Sequence, residues 1–270
     1  MQDPVHFIHR QIWRENGVST GERAVAEETA VALTYNGGSH AVMMATPQNL
    51  EDFAIGFSLT EGIVAAPSEI DSLDVVPQDD GVELRLWLQQ AQANRITERR
   101  RHIAGPTGCG LCGIDSIAEA MRPVAVVAPG GSFTAEQVMA AMAALAPLQT
   151  LNHATRAVHA SAFWTPAAGI VALREDVGRH NALDKLAGAL ARDGVDTATG
   201  MVLLTSRVSV EMVQKTAVIG APMIVSVSAP TALAVRMAAA AGITLVAIAR
   251  HDGFEIFCND HRLNLSRQPA

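Results

Sequence analysis

The sequence predicts an α/β protein, with a small N-terminal α+β domain followed by a larger domain of alternating helices and strands. Three observations support this class. Turn signals such as Asn36-Gly37 separate short apolar alternations in roughly the first hundred residues. Residues 104–131 are rich in glycine and proline, and helix and strand patterns then alternate from residue 156 onward. We therefore expect domains at residues 1–103 and 133–270, joined by a connector at residues 104–132.

The composition limits the classes of partner. The chain has 270 residues, and its hydrophobic content of 49% is ample for a real core. With 20 basic and 27 acidic residues, the net charge is -7, so no global positive field attracts nucleic acid or membranes. No signal-peptide pattern occurs in residues 1–16, and Arg236 and Gly242 interrupt the most apolar stretch. We expect a cytoplasmic protein.

In the first domain, the pattern predicts strands at residues 29–35 and 40–45. Thr46 is then expected to cap a helix with Pro47 at its first position, and Gly62 to end that helix. A second strand pair is expected at residues 70–76 and 82–88.

In the second domain, Thr134 and Gln137 predict a capping box at the start of a helix that ends near residue 146. The patterns that follow predict strands at residues 156–164, 169–173, 201–205, 223–228 and 243–249, and helices at residues 179–192, 210–219 and 230–241.

The connector carries Cys109 and Cys112 in a C-x-x-C frame with glycines at positions 108, 110 and 113. Exposed thiols of this kind suit metal binding, dithiol redox chemistry or sulfur transfer. No second C-x-x-C supplies the four ligands of structural zinc, and a thioredoxin-like pair would instead open a helix after a strand. The residues alone leave all three chemistries open. Cys258, in an apolar strand pattern, is expected to be buried filling.

Three strand-to-helix junctions in the second domain are unusually polar, and open α/β sheets bind ligands at such positions. They lie at residues 175–185, 206–212 and 228–231. We expect an anion site there, whose positive charge comes from Arg179, Lys185, Arg207 and Lys215. His180 and Asp184 fall on one helix face. His159, in an apolar strand, is expected to be a core histidine.

The order of these motifs closely resembles the formate dehydrogenase accessory sulfurtransferase family, FdhD. The resemblance spans most of the chain from Glu27 onward. Its matching segments are residues 27–28, 35–37, 44–47, 50–57, 60–62, 109–113, 176–185, 207–215 and 228–231.

The resemblance implies an enzyme, a sulfurtransferase with a cysteine persulfide intermediate. It would take sulfur from a cysteine desulfurase and deliver it to the molybdenum bis(molybdopterin guanine dinucleotide) cofactor that formate dehydrogenase needs. Cys109 matches the persulfide cysteine and Cys112 its companion, and the formate dehydrogenase catalytic subunit and a homodimer are the implied partners. The expected cofactor-binding residues are Ile248, Ala249, Arg250, His251, Asp252 and Gly253, with Arg179, His180, Arg207, Ser209, Ser228 and Thr231 at the junctions.

The FdhD family is similar in fold to cytidine deaminases, which implies a cytidine-deaminase-like three-layer α/β/α second domain. Deaminases hold zinc with H-x-E and P-C-x-x-C motifs, whereas Gly178-Arg179-His180 and residues 206–209 stand at the corresponding junctions here. We therefore predict a scaffold without the zinc site. A non-catalytic cofactor carrier or chaperone and a C-x-x-C redox protein are the alternative functions.

Overall fold

A computed structural model of the chain describes residues 3–89 and 124–265. The chain opens with an antiparallel hairpin of two ten-residue strands, β1 (Val5–Arg14) and β2 (Gly17–Ala26). No element is predicted here from the sequence pattern, although Asn16-Gly17 is a hairpin signal. Charged residues interrupt the alternation, and both strands are largely exposed, with Phe7 and Trp13 more than 70% accessible. The missing signal reflects a hairpin that buries little apolar surface.

A four-stranded sheet follows, with the order β4-β3-β6-β5. Its strands are β3 (Thr29–Tyr35), β4 (Gly38–Ala45), β5 (Ile70–Gln78) and β6 (Gly81–Leu88). The tight turn between β3 and β4 is confirmed, since Asn36 and Gly37 have φ of 49° and 77°, the left-handed values of a type I′ turn. Helix α1 (Leu50–Thr60) packs Phe53 and Phe57 onto this sheet. These elements are called the small unit below.

The predicted start of α1 is wrong. The helix begins at Leu50 after Asn49, which has a left-handed φ of 53°, and Thr46 does not cap it. The Thr46 hydroxyl instead accepts a hydrogen bond from the backbone of Val177, 131 residues further along the chain. A tertiary partner thus outcompetes the local cap that the sequence favours.

The rest of the described chain, from residue 124 onward, is called the large unit below. Its six-stranded sheet has the order β13-β12-β11-β10-β8-β9. Strands β10, β11 and β12 are mutually parallel, and β8 and β13 are antiparallel to their neighbours. The bounds are β8 (His159–Thr165), β9 (Gly169–Asp176), β10 (Met201–Leu204), β11 (Met223–Ser226), β12 (Thr244–Arg250) and β13 (Gly253–Cys258). A two-stranded parallel pair, β7 (Phe133–Thr134) and β14 (Leu263–Asn264), accompanies it.

Helices cover both faces of this sheet, so the predicted three-layer α/β/α arrangement is confirmed. Helix α2 (Ala135–Leu145) packs on one face with Met201, Leu203 and Val225. The other face, which includes Val202 and Leu204, packs against α4 (Arg179–Arg192), α5 (Val210–Ile219) and α6 (Ala232–Ala240). Alternate residues of β10 thus enter opposite cores, as its uninterrupted apolar run requires. A short helix, α3 (Thr150–Thr155), was not predicted.

The predicted capping box at α2 is also present. The Thr134 hydroxyl accepts from the Gln137 amide, and the Gln137 side chain accepts from the Thr134 amide. No helix in residues 3–89 and 124–265 is long and apolar enough to cross a membrane.

The small and large units meet where α1 crosses α4, and two glycines set their distance. A Cβ on Gly56 would lie 1.7 Å from the carbonyl oxygen of Asp184, and one on Gly188 would lie 1.9 Å from that of Asp52. The two helix backbones therefore touch directly, which only glycine at both positions permits. Of the predicted boundaries, residue 103 lies outside the described residues.

Candidate functional site

The carboxyl ends of four parallel strands meet along one edge of the large sheet. Strands β9, β10, β11 and β12 all end there, and the antiparallel β8 begins there. Open α/β sheets bind ligands at this kind of edge, because helix N-termini and strand-end loops face the same space. Below, the term sheet edge means this end of the sheet: the carboxyl ends of β9, β10, β11 and β12 together with the junctions that follow them at residues 175–185, 206–212 and 228–231.

Contacts between neighbouring junctions hold the sheet edge together. The Ser226 hydroxyl donates to the Ser206 carbonyl at 2.7 Å, and the Thr231 amide donates to the Val208 carbonyl at 3.0 Å. The Ile248 amide reaches the Ser228 carbonyl at 3.4 Å. The junctions at residues 206–209 and 228–231 therefore lie side by side, and the end of β12 lies next to them.

The first turns of α4 and α5 also meet at the sheet edge. His180 Nε2 lies 2.9 Å from Glu211 Oε2, which is ion-pair distance, although the ring N–H is not aligned for a hydrogen bond. The Ser209 hydroxyl donates to the same carboxylate at 3.3 Å. The nearby imidazole lowers the pKa of Glu211, and Ser209 and Arg179 contribute to the same shift. His180 thus faces Glu211, not Asp184, its predicted neighbour on the helix face.

The helix starts at the sheet edge differ in what they offer an anion. Gly178 precedes α4 and has no side chain to cap it, and the Ser209 side chain before α5 does not cap that helix. Thr231 does cap α6, since its hydroxyl accepts from the Ala234 amide at 3.2 Å. Uncapped first-turn amides leave room for an outside acceptor, so the starts of α4 and α5 suit an anion better than that of α6 does. Arg207 is exposed beside α5, and Arg179 begins α4.

The segment from Ile248 to Gly253 forms the end of β12, a two-residue turn at His251 and Asp252, and the start of β13. The expected cofactor-binding residues 248–253 therefore lie at a hairpin, in which Arg250 and Gly253 pair. Ala249 is buried on the sheet face that packs against α2, whereas Arg250, His251 and Asp252 are exposed. Ile248 has a left-handed φ of 53°, a strained value for a β-branched residue, at a bulge in β12.

Lys185 does not belong to the anion site for which it was predicted. Its ammonium is fully buried and donates to Asp176 Oδ2 at 2.5 Å and to the Thr46 carbonyl at 2.8 Å. Asp176 also accepts from the backbone amides of Thr46 and Gly178 and from the Asn181 side chain. The network joins the turn before α1 to the start of α4, so its charges serve the contact between the two units.

Lys215 is a second buried lysine with a structural role. Its ammonium contacts both carboxylate oxygens of Asp184, at 2.8 and 3.0 Å, and also Thr60 and Glu61 of the small unit. Burial acts to lower the pKa of Lys215, but the two carboxylates outweigh it and raise that pKa above its ordinary value. The prediction that Lys215 supplies charge to a ligand is wrong, because its charge is already neutralised.

His159 is a sheet-edge residue that the sequence analysis assigned to the core. It begins β8, opposite Asp176 at the end of β9, and it is only half-buried. Burial lowers its pKa, the positive charge of Arg179 adds to this effect, and Asp176 opposes it. The strand partner of His159, Asp176, belongs to the polar junction at residues 175–185. That junction is the signal that could have placed His159 at the site.

Cys109 and Cys112 lie outside the described residues. Cys258 is half-buried in β13, its thiol contacts the Ile243 carbonyl at 3.5 Å, and burial raises its pKa. Among residues 3–89 and 124–265, no three His, Cys, Asp or Glu side chains group closely enough to hold a metal ion.

A comparison with protein-family models gives a match that covers most of the chain. The model of the FdhD/NarQ family matches residues 26–264. The chain belongs to this family. The FdhD resemblance of the sequence is thereby confirmed, and the matched range includes the small unit, the C-x-x-C segment and the sheet edge.

Curated members of the FdhD/NarQ family are similar to this chain over most of its length. The Sulfur carrier protein FdhD of Agrobacterium fabrum is 52% identical over 259 residues, which is 96% of each chain. That of Cupriavidus necator is 50% identical over 252 residues, 93% of this chain and 87% of the relative. A crystal structure of a candidate formate dehydrogenase accessory protein from Desulfotalea psychrophila has the same fold. The TM-score is 0.78 at 24% identity, over 97% of this chain and all of that one.

Proposed function

We propose that this chain is a sulfurtransferase that accepts persulfide sulfur from a cysteine desulfurase and passes it to the molybdenum bis(molybdopterin guanine dinucleotide) cofactor of a formate dehydrogenase. One observation carries the proposal. Relatives named sulfur carrier proteins align at about half identity over nearly the whole chain, and this range contains the C-x-x-C frame. The cofactor is the substrate that receives the sulfur.

Cys109 is the proposed sulfur carrier. Its thiolate attacks the outer sulfur of the donor's persulfide, the donor's S–S bond breaks, and the donor cysteine leaves as a thiolate. The new S–S bond holds the sulfur on Cys109, so the step needs no external oxidant or reductant. Positive charge favours a thiolate, and the sequence places Arg99, Arg100 and Arg101 shortly before the cysteines.

The sheet edge is the proposed binding site for the guanine dinucleotide part of the cofactor. Arg179 and Arg207 can pair with its phosphates, and the uncapped first turns of α4 and α5 add amide donors. Ser228 lies next to the end of β12, which leads into the exposed turn, and the Ser209 hydroxyl would have to exchange Glu211 for a phosphate oxygen. Thr231 offers no free hydroxyl to the ligand, because its side chain caps α6 by accepting from the Ala234 amide.

Sulfur labelling tests the carrier role. The protein is incubated with a cysteine desulfurase and isotopically labelled cysteine, and intact mass before and after reduction reports an added sulfur atom. We expect reducible label on the wild type and on Cys258→Ala, and none on Cys109→Ala. Cys258 is the matched control because it is the third cysteine and its half-buried thiol in β13 is bound to the Ile243 carbonyl. Equal labelling of Cys109→Ala and wild type would refute the carrier assignment.

Activity in cells separates sulfur transfer from simple carriage of the cofactor. A non-catalytic carrier or chaperone would keep formate dehydrogenase active in a strain that has only Cys109→Ala, whereas a sulfurtransferase would not. A C-x-x-C redox protein would instead show a Cys109–Cys112 disulfide with a defined potential, which redox titration with mass spectrometry detects.

Binding of GDP, a fragment of the cofactor's nucleotide half, tests the sheet edge. We expect Arg179→Ala and Arg207→Ala to weaken GDP binding on the order of tenfold or more, because each removes a charge-assisted hydrogen bond. Arg236→Ala, an exposed arginine on α6, is the charge-matched control and should bind as the wild type does. Native mass spectrometry of the same samples also reports whether the protein is the expected homodimer. Unchanged affinity in both sheet-edge variants would move the nucleotide site elsewhere.

A further inference from the structure

We propose that His159 and Arg179 together form a phosphate subsite at the sheet edge, and that His159 takes up a proton when the phosphate binds. The inference rests on the proposed function, since it assigns one part of the nucleotide site. It adds a binding residue that the sequence analysis placed in the core, and it predicts a proton stoichiometry for ligand binding.

The backbone fixes where His159 stands. It is the first residue of β8 and pairs with Asp176, the last residue of β9. The next residue, Ala160, exchanges hydrogen bonds with Thr205 after β10, at 2.8 and 3.1 Å. The chain that leaves Asp176 enters α4 at Arg179 only three residues later. His159 therefore lies between the ends of β9 and β10 and beside the first turn of α4.

Charged groups of two elements act on His159. The positive charges of Arg179 and His180 on α4 lower its pKa, Asp176 of β9 raises it, and Thr205, which follows β10, is neutral. Glu211 of α5 is held by His180. The Asp176 carboxylate is already engaged, because its oxygens are bound to Lys185, Thr46, Gly178 and Asn181.

The guanidinium of Arg179 lacks one hydrogen-bond acceptor. The Arg179 Nε atom is buried and has no hydrogen-bond partner among the described residues. A buried guanidinium N–H without an acceptor is costly, and a phosphate oxygen would satisfy it. The same phosphate would add negative charge next to His159, whose pKa is lowered by burial and by Arg179. Protonation then becomes favourable, because an adjacent anion stabilises the imidazolium.

Calorimetry measures the predicted proton uptake. GDP is titrated into the protein at one pH in buffers of different ionisation enthalpy, and the dependence of the heat on the buffer gives the protons exchanged. We expect uptake in the wild type that is absent in His159→Gln, which retains a hydrogen-bond donor but cannot be protonated. Affinity in the wild type should weaken as pH rises, by up to about tenfold per pH unit, and this slope should be shallower in the variant.

Controls separate His159 from other histidines and this inference from the proposed function. His153→Gln, an exposed histidine on α3, should retain the full uptake. Uptake that survives in His159→Gln, or that disappears in His180→Gln alone, would overturn the subsite. GDP binding without proton uptake would refute this inference and leave the nucleotide site standing, whereas no GDP binding to the wild type would refute both. If His159→Gln does not fold, the imidazole C2–H resonance of His159, followed by NMR with and without GDP, gives the same answer: an unshifted titration on binding contradicts the proposal.

Discussion

At the scale of single residues, burial decides what each charge in the motifs does. Lys185 and Arg207 both stand at polar junctions in the sequence, yet Lys185 is sealed against Asp176 while Arg207 is exposed at the sheet edge. A buried charge must be paired to be tolerated, so its partner consumes its capacity to bind a ligand. The two lysines of the motifs therefore hold the units together, whereas Arg207 has no such buried carboxylate partner among the described residues.

Removal of a buried lysine should destabilise the protein strongly. We expect Lys185→Met and Lys215→Met each to lower the free energy of unfolding by about 3–5 kcal/mol, because each leaves a buried carboxylate without its counter-charge. Arg207→Met, an exposed control, should change it by less than about 0.5 kcal/mol. Urea denaturation followed by circular dichroism measures all three, and lysine variants no less stable than Arg207→Met would contradict the buried-pair assignment.

His159 should also mark the pH dependence of stability in the ligand-free protein. Its pKa is lower in the folded protein than its ordinary value of 6.5, so the unfolded chain binds more protons in the interval between the two values. The contribution of His159 to stability is therefore fully present above pH 6.5 and is lost as the pH falls through the folded pKa. We expect His159→Gln to lose less stability than the wild type between neutral pH and pH 5, as measured by denaturant midpoints. Parallel curves for the two proteins would count against this environment of His159.

At the scale of elements, the crossing of α1 and α4 depends on two glycines rather than on large apolar side chains. Gly56 and Gly188 let each backbone approach the other helix, which brings Thr60 within 2.6 Å of Asp184 and Arg174 within 2.8 Å of Asp52. The polar contacts between the units therefore depend on the close approach of α1 and α4, because a wider crossing would break these hydrogen bonds.

A methyl group at this crossing should be costly. We expect Gly56→Ala and Gly188→Ala each to destabilise the protein by about 3 kcal/mol or more, at the upper end of overpacking effects, because the added Cβ meets rigid backbone. Gly21→Ala is the control, since its Cβ would lie 3.7 Å from the end of the Ile12 side chain. If thermal denaturation finds the three variants equally stable, the helices are not in direct backbone contact.

At the scale of the whole molecule, the two units share charges as well as surface. Lys185 and Lys215 of the large unit bind Thr46 and Glu61 of the small unit, and Arg192 binds Asp52. Unfolding of either unit would remove the partners of charged groups in the other unit. The described units should therefore unfold in one cooperative transition.

The three tryptophans allow this to be tested, because Trp13, Trp87 and Trp164 lie in the hairpin, the small unit and the large unit. One variant keeps only Trp87 and another keeps only Trp164, with phenylalanine at the other positions. Within each variant, we expect the denaturation midpoint from fluorescence to equal the midpoint from circular dichroism. Separate midpoints in either variant would show that the units unfold independently.

The elements that the sequence predicted well are those whose signals are local. The Asn36-Gly37 turn, the Thr134 capping box and the alternation of helices and strands after β8 depend on neighbours a few residues away, and each is present. The polar junctions were likewise visible, since strand-end residues can be read once the strands are assigned. The exposed hairpin β1–β2 was missed because it lacks the apolar alternation by which strands are recognised.

The sequence by itself determined the layered α/β class, the FdhD/NarQ membership and the Cys109–Cys112 frame, because these depend on residue identity and spacing. Only the tertiary structure decided that Thr46 binds Val177 instead of capping α1, that Lys185 and Lys215 are buried between the units, and that His159 lies at the sheet edge. These outcomes depend on burial and on tertiary partners, which in the case of Thr46 lie more than a hundred residues away in the chain. Local pattern carries no information about which of several possible partners the fold brings within reach.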